Sequence, residues 1–120
     1  MIRVLVVDDS RVMRQIVIRT LRRAGYDWDV REASDGAEAL AAVRADEPDV
    51  VLSDWNMPNV SGIELLENLR AEGFETPFGF VTSEGSPEMR ATADAAGALF
   101  LIAKPFTAES FREVIEPVLA

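Results

Sequence analysis

The chain has 120 residues and contains neither cysteine nor histidine. Without cysteine there is no disulfide framework and no thiol nucleophile. Without histidine there is no imidazole catalysis, no histidine ligation of zinc or haem, and no phosphohistidine on this chain. Positive charge is scarce: 12 Lys and Arg stand against 21 Asp and Glu, a formal net charge of -9. Such a surface repels nucleic acid and anionic membranes, so neither is expected as a direct partner. No apolar run approaches the roughly 18 residues that span a bilayer. The N-terminus enters a strand pattern at once and lacks the shape of a secretory signal, which makes a cytoplasmic location the default expectation.

What is present is a substantial core. Hydrophobic residues make up 48% of the chain, enough for one domain, expected over residues 1–120. Five short apolar runs stand out, at Arg3–Val7, Trp28–Glu32, Val50–Asp54, Phe78–Thr82 and Ala98–Ala103. Four are nearly continuous, the pattern of strands covered on both faces of a parallel sheet. The second alternates with charge and reads as an edge strand.

Helical spacing fills the gaps. The first helix carries Val12, Met13, Ile16, Val17, Thr20, Leu21 and Ala24 at three- and four-residue intervals and stops at Gly25. In the second, Ala37, Leu40 and Ala41 are expected inward, with Asp35 and Glu38 spaced as a capping box. The third repeats that spacing with Ser61 and Glu64, ahead of Ile63, Leu66 and Leu69. The fourth opens on Ser86 and Pro87 and has little but Met89 and alanines to bury. The fifth starts at Thr107 and carries Phe111, Val114, Ile115, Val118 and Leu119, with Pro117 expected to kink or fray its end. Arg11, Arg14, Arg19, Arg22 and Arg23 crowd the first helix and form either a docking patch or a solvated face. Strand and helix thus alternate five times, which predicts an α/β fold: a three-layer sandwich around a doubly wound, five-stranded parallel sheet.

In such a sheet the carboxyl ends of all strands share one edge, where ligands bind. Asp8 and Asp9 end the first run, Asp54 the third, Thr82 and Ser83 the fourth, and Lys104 follows the fifth. Two carboxylates about 4 Å apart repel by roughly 4 kcal/mol at an effective dielectric near 20. A hard divalent cation relieves that repulsion, and magnesium suits a few carboxylates plus a backbone carbonyl. Asp8, Asp9, Asp54 and the carbonyl of Asn56 make such a set. A carboxylate in that position can also be a nucleophile and form an acyl phosphate. Lys104 can reach a phosphoryl oxygen, and the Thr82 hydroxyl can donate to another. Each residue has a plainer reading too: Asp8 and Asp9 as helix caps, a task Asp9 or Ser10 can perform, Thr82 as a β-branched strand residue, Lys104 and Glu84 as solvated charges, Trp55 as a bystander at the rim.

The stretches "VLVVDDS", "DWNMP", "FVTS" and "KPF", in this order, resemble the receiver domain of two-component response regulators, over nearly the whole chain. The pattern is most similar to the chemotaxis-type, single-domain members. The resemblance implies a flavodoxin-like, CheY-like (βα)5 fold with strand order 2-1-3-4-5. It implies Asp54 as phosphoacceptor, Asp8 and Asp9 as the metal-binding pair with Asp9 the more direct ligand, and Mg2+ as cofactor with Mn2+ as a substitute. Thr82 becomes the switch hydroxyl, Lys104 the phosphate-contacting lysine, and the bond before Pro105 is cis. Asn56 and Glu84 occupy the positions that tune the slow loss of phosphate. The donor implied is a sensor histidine kinase or phosphotransfer protein. The output implied is a downstream target protein bound by the fourth helix, fifth strand and fifth helix, the chain being a monomer or a weak phosphorylation-dependent dimer.

One position departs from the pattern. Leu101 stands where many members carry Tyr or Phe, and strand alternation aims the preceding Phe100 at the opposite face. Other functions stay open at this point. The chain can be a receiver from a longer transcriptional regulator or hybrid kinase, or a degenerate receiver kept as scaffold. It can also be a small Mg2+-dependent phosphohydrolase, although Asn56 then stands where such enzymes place a second acid.

Overall fold

A computed structural model describes residues 1–119, the side chain of Leu119 excepted. Ten elements alternate: β1 Arg3–Val7, α1 Arg11–Arg23, β2 Asp29–Ala33, α2 Gly36–Ala45, β3 Val50–Ser53, α3 Gly62–Ala71, β4 Phe78–Thr82, α4 Pro87–Ala96, β5 Phe100–Ala103 and α5 Ala108–Leu119. The strands pair in parallel in the order β2-β1-β3-β4-β5, so β2 is an edge strand as its alternation predicts.

Alternate residues of each strand feed two cores. Leu5, Val7, Val51, Phe78, Phe80 and Leu101 pack on one face against Ala39 and Val43 of α2, Leu65, Leu66 and Leu69 of α3, and Ala93 of α4. Val4, Val6, Val50, Leu52, Val81 and Ile102 pack on the other against Val17, Ile18 and Leu21 of α1 and Phe111 and Ile115 of α5. This is the α/β/α sandwich that near-continuous apolar strands demand, since both faces of the sheet need cover.

Several inward faces differ from the periodicity reading. Val12 and Ile16 are exposed, at 68% and 38%, whereas Ile18 is buried. The stripe through Val12 and Ile16 continues into Arg19 and Arg23, whose charges cannot be buried, so α1 turns that stripe to water. In α2 the buried residues are Gly36, Ala39 and Val43, Leu40 packs partly buried against the core, and Ala37 and Ala41 face solvent on the side of Arg44. Val118 is 42% exposed. Leu119, expected on the same face, lies outside the described side chains. Helix α5 passes through Pro117 and ends at Leu119.

Strand limits shift for local reasons. β5 begins at Phe100 rather than Ala98 because Gly97, with φ of 101°, closes α4 and the Ala98 N–H turns back to the Ala93 carbonyl. β3 stops at Ser53, leaving Asp54 just past the strand while its N–H still bonds the Val7 carbonyl at 2.9 Å. β2 runs one residue later than expected, from Asp29, whose N–H meets the Ile2 carbonyl.

The helix starts behave as their side chains dictate. Ser61 and Glu64 form a complete capping box. Asp35 caps α2, but Glu38 reaches back to the N–H and hydroxyl of Ser34, so that box is not reciprocal. Ser86 caps α4 ahead of Pro87, and Thr107 and Ser110 exchange bonds at the start of α5.

Candidate functional site

The carboxyl edge of the sheet gathers the acids. Asp8 follows β1 and is 3% exposed; its Oδ1 accepts the Ser10 N–H at 2.8 Å, and its own N–H still pairs with the Ala33 carbonyl. Ser10, not Asp9, caps α1, its Oγ accepting the Met13 N–H at 3.2 Å. Asp9 is exposed and has no capping task to perform. Asp54 is half-buried, and its Oδ1 accepts the Trp55 N–H at 2.7 Å. One oxygen from each of Asp8, Asp9 and Asp54 lies within 4.8 Å of the other two.

Burial raises the pKa of Asp8 above the usual carboxylate range, against the Ser10 N–H; the Asp54 charge raises it further. Asp54 is raised too, by burial first, while the Lys104 ammonium and the N–H groups of Trp55 and Asn56 pull the other way. Lys104 Nζ stands 3.7 Å from Asp8 Oδ2 and supplies the nearby positive charge. Crowded, partly dehydrated carboxylate oxygens on separate loops fit a hard cation that prefers oxygen donors. The cluster is therefore consistent with a metal-binding site.

The other residues singled out by sequence gather along the same edge. Thr82 ends β4, fully buried, and its Oγ1 accepts the Glu84 N–H at 3.4 Å. The Thr82 carbonyl accepts the Lys104 N–H at 2.8 Å, which ties the β4 end to the loop carrying the lysine. The Lys104–Pro105 peptide is cis, as the resemblance implies. Glu84 and Asn56 are exposed. Leu101 is 7% exposed and belongs to the core beneath α3 and α4. Phe100 points to the other face, where its ring covers Gly79 so closely that a Cβ there would collide with it.

Two contacts of the site go beyond the sequence reading. A Cβ on Gly62 would run into the Asp54 carbonyl oxygen and the Phe80 ring, while the Gly62 N–H bonds the Trp55 carbonyl at 2.8 Å. The first residue of α3 is thus seated on the backbone that presents Asp54, with Trp55 stacked on Phe80 at a centroid distance of 4.7 Å. The second is the contact of Arg14 with the Asp8 carbonyl. Charge alone placed Arg14 among five helix arginines, and nothing in the pattern separated it from the other four.

A sequence model of the response regulator receiver domain matches residues 4–116, which include every residue of this site. The chain belongs to the response regulator receiver family. Among relatives, this receiver is 42% identical to the chemotaxis protein CheY1 of Helicobacter pylori, covering 98% of this chain and 96% of the relative. Among solved structures, it superposes on the chemotaxis protein CheY4 of Vibrio cholerae with a TM-score of 0.87, at 40% identity and 99% coverage of both chains. It superposes also on NtrX from Brucella abortus with a TM-score of 0.86, at 31% identity, covering 98% of this chain and 26% of that one. Receiver domains are phosphoacceptors rather than turnover enzymes, and membership implies partners in phosphotransfer. Among the described residues no helix is long and apolar enough to cross a membrane.

Proposed function

We propose that this receiver is a phosphorylation-controlled switch in which Asp54 accepts a phosphoryl group with Mg2+ held by Asp8, Asp9, Asp54 and the Asn56 carbonyl. The observation that carries this reading is the meeting of three carboxylates from two loops within 4.8 Å, beside a lysine from a third. The chain lacks histidine, so the donor is another molecule: the phosphohistidine of a kinase or phosphotransfer protein, or a small phosphoramidate or acyl phosphate. A carboxylate oxygen of Asp54 attacks phosphorus, the P–N bond to the donor imidazole breaks, and that nitrogen keeps the electron pair and takes a proton. A bound Mg2+ would supply charge compensation as phosphate approaches, and Mn2+ would substitute for it.

Lys104 exchanges its contact with Asp8 for a phosphoryl oxygen. Thr82 gives its hydroxyl to another and draws away from the Glu84 N–H. Asn56 and Glu84 flank the acyl phosphate and set how fast water removes it. Leu101 and the bond before Pro105 lie on the path from Thr82 to the surface of α4, β5 and α5, where a target protein binds one state in preference to the other. Residues 1–120 act as one receiver domain, in the cytoplasm, as a monomer or a weak dimer formed on phosphorylation. The likeness to the chemotaxis relatives supports a diffusible protein-binding switch in a chemotaxis-type pathway. The likeness to NtrX, of which the chain covers 26%, favours a second reading, a receiver whose output is carried by a longer regulator.

The test is incubation with Mg2+ and a small phosphodonor, followed by intact mass. The parent gains one phosphoryl group, and Asp54→Asn gains none. Labelling that survives in Asp54→Asn, or that is independent of divalent cation, overturns the assignment.

A further inference from the structure

The peptide that joins Asp8 to Asp9 decides where both carboxylates point, because it fixes the bond along which the Asp9 side chain leaves the backbone. That peptide is held from one side by Arg14. Its Nη1 donates to the Asp8 carbonyl at 2.7 Å, and its Nε donates to Glu32 Oε1 at 2.9 Å. The Arg14 side chain is only 13% exposed. A guanidinium so enclosed is costly unless its donors and its charge are met. Glu32, on the edge strand β2, meets the charge and braces the planar fork. The opposite half of the fork is thereby aimed at a carbonyl oxygen that the end of β1 would otherwise leave for water.

We propose that Arg14 is a positioning residue for the cation site, fixing the Asp8–Asp9 peptide and so the aim of the two acids, with Glu32 as its brace. The inference rests on the reading of the Asp8, Asp9 and Asp54 cluster as a metal site. Its sign separates it from plain electrostatics. Arg14 is a positive charge beside a cation site, so deleting it would strengthen cation binding if charge were its only contribution. If it acts by holding the peptide, deleting it weakens binding. Lysine keeps the charge but cannot bond the carbonyl and Glu32 together as a planar fork does.

The experiment titrates the full chain with Mn2+, following free ion by paramagnetic resonance and bound ion by Trp55 fluorescence. Arg14→Met and Arg14→Lys are each expected to weaken binding by about tenfold, the lower end for partners outside the ligand shell. Ile115→Val, a core change remote from the edge, serves as a control for lost stability and is expected to leave affinity unchanged. Unchanged or tighter binding by both Arg14 variants overturns the inference while leaving the metal site intact. A lysine variant that binds like the parent also overturns it, because charge then suffices. If the parent itself binds no Mn2+, the metal site is refuted and the inference goes with it.

Discussion

Neutralising Asp54 should stabilise the protein when no metal is bound. At 4.8 Å and an effective dielectric near 20, two carboxylates repel by ~3.5 kcal/mol. Asp8 is buried and feels most of this from Asp54, whereas the share of exposed Asp9 is screened. Lys104, 3.7 Å from Asp8, offsets part of it. The Asp54→Asn variant keeps an oxygen for the Trp55 N–H and removes the charge, so a net gain of about 1–2 kcal/mol is expected. The assay is urea unfolding at pH 7 in chelator, read by tryptophan fluorescence and circular dichroism. Saturating Mg2+ should narrow or reverse the order, because a ligand at 100 times its Kd contributes about 2.7 kcal/mol to the parent. The variant, short of one carboxylate, gains less. The pH dependence has a definite sign. Asp54 has a raised pKa in the folded state, so the folded protein holds its proton more tightly than the unfolded chain. The parent's deficit is therefore full above the raised value and disappears as pH falls through it toward the ordinary carboxylate range near 4. A parent as stable as Asp54→Asn in chelator at pH 7 would refute the reasoning, since the carboxylates would then carry no repulsion for a cation to relieve.

Three further outcomes follow from the geometry. Gly62→Ala drives a methyl group into the Asp54 carbonyl and the Phe80 ring; urea unfolding should show a loss of about 1–3 kcal/mol, and labelling of Asp54 should slow. Lys104→Ala removes a cation that competes for Asp8, so Mn2+ titration should show tighter binding while labelling from a small donor falls. Thr82→Ala should leave labelling by a small donor intact, because in the resting state the Thr82 hydroxyl is engaged by the Glu84 N–H, but should abolish the change in amide exchange along α4 that labelling of the parent produces.

The sheet and its acidic edge were legible because buried parallel strands leave continuous apolar runs, and because three of those runs, β1, β3 and β5, give way directly to a charged residue. Asp54 after "VLS" and Lys104 after "LIA" are charges abutting core, and only a shared edge explains them together. Helix faces were less legible. Val12 and Ile16 have the spacing of a buried stripe, and the arginines that continue it outvote them. Ala37 and Ala41 carry too little apolar surface to compete with Val43 for the sheet. The contacts of Gly62 and Arg14 were out of reach of pattern altogether. Each depends on a backbone carbonyl, and carbonyls have no identity in a sequence.

If a target protein reads the face of α4, β5 and α5 as proposed, the ring of Phe100 clamped over Gly79 bears on how it would tell two states apart. A side chain wedged over a neighbouring strand is a wall, not a hinge, and Leu101 beside it has no polar atom with which to announce a change. On that reading, discrimination would depend on how far the flanking helices slide against each other. A partner would gauge contour, and its preference would grade with apolar contact rather than turn on any one bond.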